Sequence, residues 1–283
     1  MSDNKDSLRD QQHAFFQTPQ QKGDASVSPI SNQLGGTNKK RSRVGIVSII
    51  IVLILALVGS GYYISRRLND GGTVKNIQHK PAIVTPGVAP IFGDTFQNNA
   101  AQWNTNPPAG ARITLANDGK LILESENHTI FTESLPGSKT FGDLRIDVDA
   151  GLTGGDQHNS YGVSIRISTS PTDAVSLYYR FEVYGDGSFA LFKGSVDSNG
   201  SLRVSSLKNS LQPSNAIAHA ASLNHLTIIA KGQTLTFVVN GTTLANFTDG
   251  TYSSGYAALF VSQAKGATTP AQAVFQNLAL FPV

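Results

Sequence analysis

The chain's most promising chemical groups lie in the segment SLYYRFEVY, where residue types alternate with a period of two. Successive side chains of a β-strand point to opposite faces. The pattern therefore predicts a buried face formed by Leu177, Tyr179, Phe181 and Val183, and an opposite face formed by Tyr178, Arg180, Glu182 and Tyr184. An aromatic ring beside charged hydrogen-bonding groups suits a sugar ligand. The alternative is a set of ion pairs that keeps a solvated sheet face soluble.

Two further segments have the same alternation and carry charges. Arg166 lies in VSIRIS, and Arg145 and Asp147 lie in LRIDVDA. We expect these charged residues on neighbouring strands of the same face. The predicted ligand-binding set is therefore Tyr178, Arg180, Glu182, Arg166 and Asp147.

The sequence offers no catalytic set. The chain contains no cysteine, which excludes a thiolate nucleophile and a thiolate metal site. Its six histidines show no i,i+2 or i,i+4 spacing. Nucleophile elbows, phosphate-binding loops and dinucleotide fingerprints are likewise missing from the sequence.

Short alternating runs of this kind recur from Ile91 to the end of the chain, separated by turn residues. Asn117-Asp118-Gly119, Asp186-Gly187 and Asn240-Gly241 supply the positive φ that tight hairpins need. About a dozen such runs and almost no helical pattern predict an all-β protein. The expected architecture is an antiparallel two-sheet jelly-roll sandwich over residues 91–283.

Several of these runs resemble a known superfamily. DTFQNNAAQWNTN, YYRFEVYGDG and above all LNHLTIIAKGQTLTFVVNGTTLANF are similar to the concanavalin A-like lectins and glucanases. Within that superfamily, the chain resembles laminin G-like and 3-keto-disaccharide hydrolase-type jelly rolls. The resemblance covers about residues 91–283 and implies the fold more than an activity.

The resemblance also implies sites that this chain only partly retains. Glucanases of the superfamily carry an E-x-D-x-E strand, and the nearest approach here is Asp147-x-Asp149, which disfavours a glucanase. Related jelly rolls hold a structural calcium at a D-x-F segment, which Asp94 matches. The last strand offers Gln276 and Asn277 where an aspartate is usual. Apart from that candidate calcium at Asp94, no cofactor is expected.

The segment Val44–Ile64 contains no charged residue and is long enough to cross a bilayer as one helix. Basic residues in KKRSR precede it, which predicts a cytoplasmic N-terminus and an extracytoplasmic C-terminal domain. We therefore expect a disordered tail over 1–43, an anchor over 44–64 and a linker over 65–90. Cleavage of the segment as a signal peptide is the alternative. The absence of cysteine fits a bacterial envelope protein.

The positive net charge of +3 comes from the N-terminal tail. Residues 1–43 hold seven of the 22 lysines and arginines and four of the 19 acidic residues, which leaves fifteen of each elsewhere. A remainder without net positive charge gives no indication of nucleic-acid binding. The predicted partners are membrane lipid, through residues 44–64, and a glycan or cell-wall polysaccharide.

Three functions remain open from the sequence. The first is a membrane-anchored extracytoplasmic module that binds glycan without catalysis. The second is a hydrolase of the 3-keto-disaccharide type, which the resemblance implies. The third is a structural adhesion or interaction domain.

Overall fold

The structure is a computed structural model that describes residues 88–169, 175–197, 199–208 and 211–283. The predicted tail and anchor, and nearly all of the predicted linker, lie outside these residues. Within the described ranges no helix is long and apolar enough to cross a membrane.

The described residues form fifteen strands. In chain order they are β1 Phe92–Asp94, β2 Ala111–Ala116, β3 Lys120–Ser125, β4 Ile130–Ser134, β5 Leu144–Gly154, β6 Ser160–Thr169, β7 Val175–Tyr184, β8 Ser188–Val196, β9 Leu202–Ser206, β10 Gln212–Pro213, β11 Asn224–Lys231, β12 Thr234–Val239, β13 Thr242–Thr248, β14 Tyr256–Ser262 and β15 Ala271–Phe281.

The strands make two sheets in which the described pairs are antiparallel. The eight-stranded sheet has the order β13-β12-β11-β5-β15-β3-β2, and β1 also pairs with β15. The seven-stranded sheet has the order β10-β8-β7-β6-β14-β4, and β9 also pairs with β8. Chain neighbours repeatedly lie in different sheets, as in β4 and β5. The predicted all-β jelly-roll sandwich is confirmed.

The core lies between the two sheets and follows from the alternation along the strands. Tyr179, Phe181 and Val183 of β7 are fully buried, and Leu177 packs against the same core. Phe181 meets Phe237 of β12, from the other sheet, with 4.8 Å between ring centroids. The predicted buried face of this strand is therefore confirmed.

The hairpin at Asn240-Gly241 joins β12 to β13 as the sequence predicts. Asn240 has a φ of 49° and Gly241 a φ of 79°. Positive φ at both central residues defines the turn type that suits the twist of a two-residue hairpin. The side-chain amide of Asn240 also donates to the Ala216 carbonyl at 2.8 Å, so this turn binds a neighbouring loop.

Strand β7 is an interior strand, and Tyr179, near its middle, ties it to the segment after β13. The buried ring of Tyr179 carries its hydroxyl to Asp249, where it donates to Oδ1 at 2.7 Å. Lys193 of β8 binds the other carboxylate oxygen at 2.8 Å. Burial, with the hydrogen bond to Asp249, raises the pKa of Tyr179 to about 12, so this phenol stays protonated. The outward groups of β7 thus stand on a rigid strand.

Candidate functional site

The outward residues of β7 lie on the outer face of the seven-stranded sheet, opposite the core. Arg180 pairs in register with Ser164 of β6 and Phe192 of β8. Glu182 pairs with Gly162 and Ala190 of the same two strands. Glu182 is therefore flanked by a glycine and an alanine, whereas Arg180 lies between a serine and an aromatic ring.

Arg180 and Glu182 form an ion pair on this face. The Nε atom of Arg180 lies 2.6 Å from Oε1 of Glu182, and the two side chains are only 11% and 5% exposed. Tyr184 donates its hydroxyl to Oε2 of Glu182 at 2.6 Å, and Ser160 donates to the same oxygen at 3.2 Å. Both oxygens of the carboxylate are thus engaged.

Three aromatic rings surround the guanidinium of Arg180. Its Cζ atom lies 5.2 Å from the ring centroid of Tyr178, 5.3 Å from that of Phe192 and 5.5 Å from that of Phe260. Cation–π attraction and the loss of water at these distances hold the group in place. The guanidinium is therefore held in one position by its neighbours.

Tyr178 takes its position from a glycine on the next strand. A Cβ atom on Gly194 would lie 2.2 Å from Cε1 of Tyr178, so the ring lies directly on the glycine backbone. On its other side Tyr178 packs in a small apolar cluster with Ile167 and Ala258, and Val204 packs against that cluster. The face therefore has an apolar end at Tyr178 and a polar end at Tyr184.

The two tyrosines of the row are hydrogen-bond donors near neutral pH. Burial raises the pKa of Tyr184 well above its ordinary value, and the charge of Glu182 adds to the effect. Burial also raises the pKa of Tyr178, although the nearby Arg180 opposes the change. For Arg180 itself, burial lowers the pKa, but Glu182 and the tyrosines outweigh it and the net direction is upward. The site therefore combines a fixed cation with neutral phenols.

Arg166 does not lie on this face, so the expectation of one shared face is wrong for it, and its role in ligand binding stays a prediction. Arg166 has a φ of 51° and sits where the register between β6 and β7 shifts. Because the bulge turns it out of the alternation, its buried guanidinium donates to the Tyr252 carbonyl at 2.8 Å and contacts Asp143 at 3.3 Å. Its observed contacts tie loops at one end of the sandwich.

Asp147 does not lie on this face either, because β5 belongs to the eight-stranded sheet. There Arg145 and Asp147 form an ion pair at 2.5 Å, and Thr227 donates to Asp147 at 2.7 Å. Alongside, His225 bonds Asp149 at 2.7 Å. The expectation of one shared face is thus wrong for Asp147, and its role in ligand binding stays a prediction. Sequence reasoning missed Thr227 and His225, which carry no motif.

Asp94, the calcium candidate, has both carboxylate oxygens engaged by protein donors. Oδ1 accepts the Phe96 amide and Oδ2 accepts the Trp103 indole nitrogen, each at 2.7 Å. Across β15, the side-chain amide of Asn277 donates to Asp149 at 2.8 Å. These groups do not converge as oxygen ligands, so they do not fit a calcium ion. Among the described residues, no three or more His, Asp or Glu side chains are grouped to hold a metal.

Comparisons with known proteins agree with this fold. Residues 90–278 match the family described as 3-keto-alpha-glucoside-1,2-lyase-like domains, which confirms the resemblance seen in the sequence. No curated protein matches the chain.

Among solved structures, a Bacillus subtilis protein of unknown function with a galectin-like fold has a TM-score of 0.51 at 13% identity, over 69% of this chain and 96% of its own. A protein from work on endo-acting O-glycanases of the human gut microbiota has a TM-score of 0.50 at 11% identity, over 69% of this chain and 100% of its own. The Bacillus subtilis carbohydrate-binding module CBM66 has a TM-score of 0.46 at 16% identity, over 63% and 94%. The first two show the shared fold.

The contact between Tyr178 and Gly194 can be tested directly. Gly194→Ala should reduce the free energy of unfolding by about 1–3 kcal/mol, because the new methyl group cannot share space with the Tyr178 ring. Chemical denaturation measures the change. The control is Gly142→Ala, whose Cβ would meet its nearest atom at an ordinary 3.8 Å. In a Tyr178→Ala background the Gly194 substitution should cost much less, and an undiminished cost would contradict the contact.

Proposed function

This chain belongs to the family of 3-keto-alpha-glucoside-1,2-lyase-like domains, and on that premise we propose that it binds glycan without catalysis on the outer face of its seven-stranded sheet. We further propose that residues 44–64 anchor it in the cell membrane with this domain outside. The observation that carries the binding proposal is the ion pair of Arg180 and Glu182, fixed among three aromatic rings.

Several properties of this face suit a sugar. The guanidinium offers planar donors, and Tyr184, Ser160 and Ser164 offer hydroxyl groups that donate or accept. The buried ring of Tyr178 forms the apolar end of the row. Because these groups are already held by one another, binding would cost little ordering entropy.

The family membership supports a second candidate, a hydrolase that acts on 3-keto-disaccharides. A retaining or inverting glycosidase uses two carboxylates. On the outer face of the seven-stranded sheet, as far as the structure describes it, Glu182 is the only carboxylate. This observation favours binding over a two-carboxylate mechanism at that face. Release of free sugar from a 3-keto-glucoside by the purified protein would support the hydrolase.

The binding proposal predicts that Arg180→Lys loses glycan retention. Lysine keeps the charge but lacks the planar donor fork that stacks among the rings, so retention should fall about tenfold or more. The assay is affinity electrophoresis or pull-down of the full chain against a panel of neutral plant, fungal and bacterial polysaccharides.

The matched control for this experiment is Arg203→Lys, at an exposed pair with Asp197 on the β8–β9 hairpin. It should retain glycan like the wild type, and the melting temperatures of both variants should be recorded. Unchanged retention by a folded Arg180→Lys would place the site elsewhere. A wild type that retains no glycan would leave the adhesion function as the better account.

The anchor proposal predicts the outcome of protease treatment. Protease added to intact cells should degrade the domain of residues 91–283 and spare the tail of residues 1–43, because an uncharged span of this length holds the chain across the bilayer. Antibodies against the two parts measure this, with permeabilised cells as the control. A free domain in the medium that begins near Gly61 would show cleavage and contradict the anchor.

A further inference from the structure

The charges on the proposed glycan-binding face are balanced. Among the described residues of the seven-stranded sheet, Arg180 is the only outward-facing cation and Glu182 the only outward-facing carboxylate. The two lie 2.6 Å apart. Resting on the binding function proposed above, we propose that this site selects uncharged glycans and that Glu182 is the residue that excludes anionic ones.

Glu182 competes directly with any anionic group that approaches Arg180. A uronate or sulfate would seek the guanidinium, which is the preferred partner of such groups. The guanidinium already has a carboxylate partner, and Tyr184 and Ser160 hold that carboxylate in place through its other oxygen. An anionic sugar would therefore meet a like charge at contact distance in a poorly solvated place.

An anionic group could otherwise bind Arg180 only by displacing Glu182 from it. The burial of the Glu182 carboxylate opposes that exchange. Removing Arg180 from Glu182 would leave a carboxylate that is 5% exposed without its counter-charge. A buried charge without a partner is strongly unfavourable. An anionic ligand must therefore offset the loss of the existing pair, whereas a neutral hydroxyl can bond the remaining donors and leave the pair intact.

Cationic sugars meet the opposite obstacle. The rings of Tyr178, Phe192 and Phe260 would attract an ammonium group, but all three already face the guanidinium of Arg180. A second cation there would be repelled. The neighbouring positions Gly162, Ser164, Ala190 and Ala258 add no charge.

The experiment compares matched glycans that differ only in charge. The full chain, purified in a detergent without a sugar headgroup, is run against laminarin, xylan and soluble cellulose, each unmodified and carboxymethylated. The wild type should retain the unmodified form roughly tenfold better, as expected when binding leaves one buried polar group unpaired. Glu182→Gln removes the repelling charge and leaves Arg180 without its carboxylate partner. The preference of this variant should therefore shift towards the carboxymethylated glycan. Its retention of the carboxymethylated glycan should weaken as the salt concentration rises.

Asp197→Asn is the matched control, since it removes one negative charge in the exposed pair with Arg203 on the β8–β9 hairpin. Its preference should equal that of the wild type. If the wild type retained the carboxymethylated glycan as well as or better than the unmodified one, the inference would be overturned while the binding function would stand. This comparison uses the wild type alone and does not depend on the folding of a variant. An unchanged preference in a folded Glu182→Gln would overturn it as well. Retention of neither form would overturn the binding function and the inference together.

Discussion

A buried ion pair on the outside of a sheet needs a surrounding that both excludes water and satisfies its hydrogen bonds. Around the pair of Arg180 and Glu182, aromatic rings cover the cation and hydroxyl groups bind the anion. The buried Nε atom of Arg180 contacts Glu182 as an ion pair without a well-oriented hydrogen bond. Without the rings the pair would be an ordinary exposed contact of little consequence. With them it is a fixed polar feature on an otherwise uncharged face, and the account of ligand binding depends on it.

The jelly-roll sandwich supplies the positions of these groups. Inward packing of Phe181 against Phe237 sets the orientation of β7, and the outward residues follow from the period of two. The position of Tyr178 also depends on the next strand. Its ring can lie there only because Gly194 has no Cβ atom. The same core could carry other outward residues, so the fold alone does not specify the ligand.

The sequence predicts the alternation, the hairpins and the fold, because those features depend on neighbouring residues. It does not predict which sheet a strand joins, and for that reason the alternation around Asp147 does not show that β5 belongs to the other sheet. Nor does it show the bulge at Arg166, since one extra residue in a strand leaves no distinctive pattern. The rings of Phe192 and Phe260 reach Arg180 only through strand pairing, so their part in the site needs the structure.

A nuclear magnetic resonance titration tests the central claim most directly. The chain, labelled with nitrogen-15 and with the Arg180 Nε–H signal assigned, is titrated with a short oligosaccharide of a retained polysaccharide. The account predicts that this signal and the backbone amides around Glu182 and Ser164 shift in a saturable way, while those around Asp147 and His225 on the other sheet do not. Saturable shifts confined to the loops or to the eight-stranded sheet would contradict it.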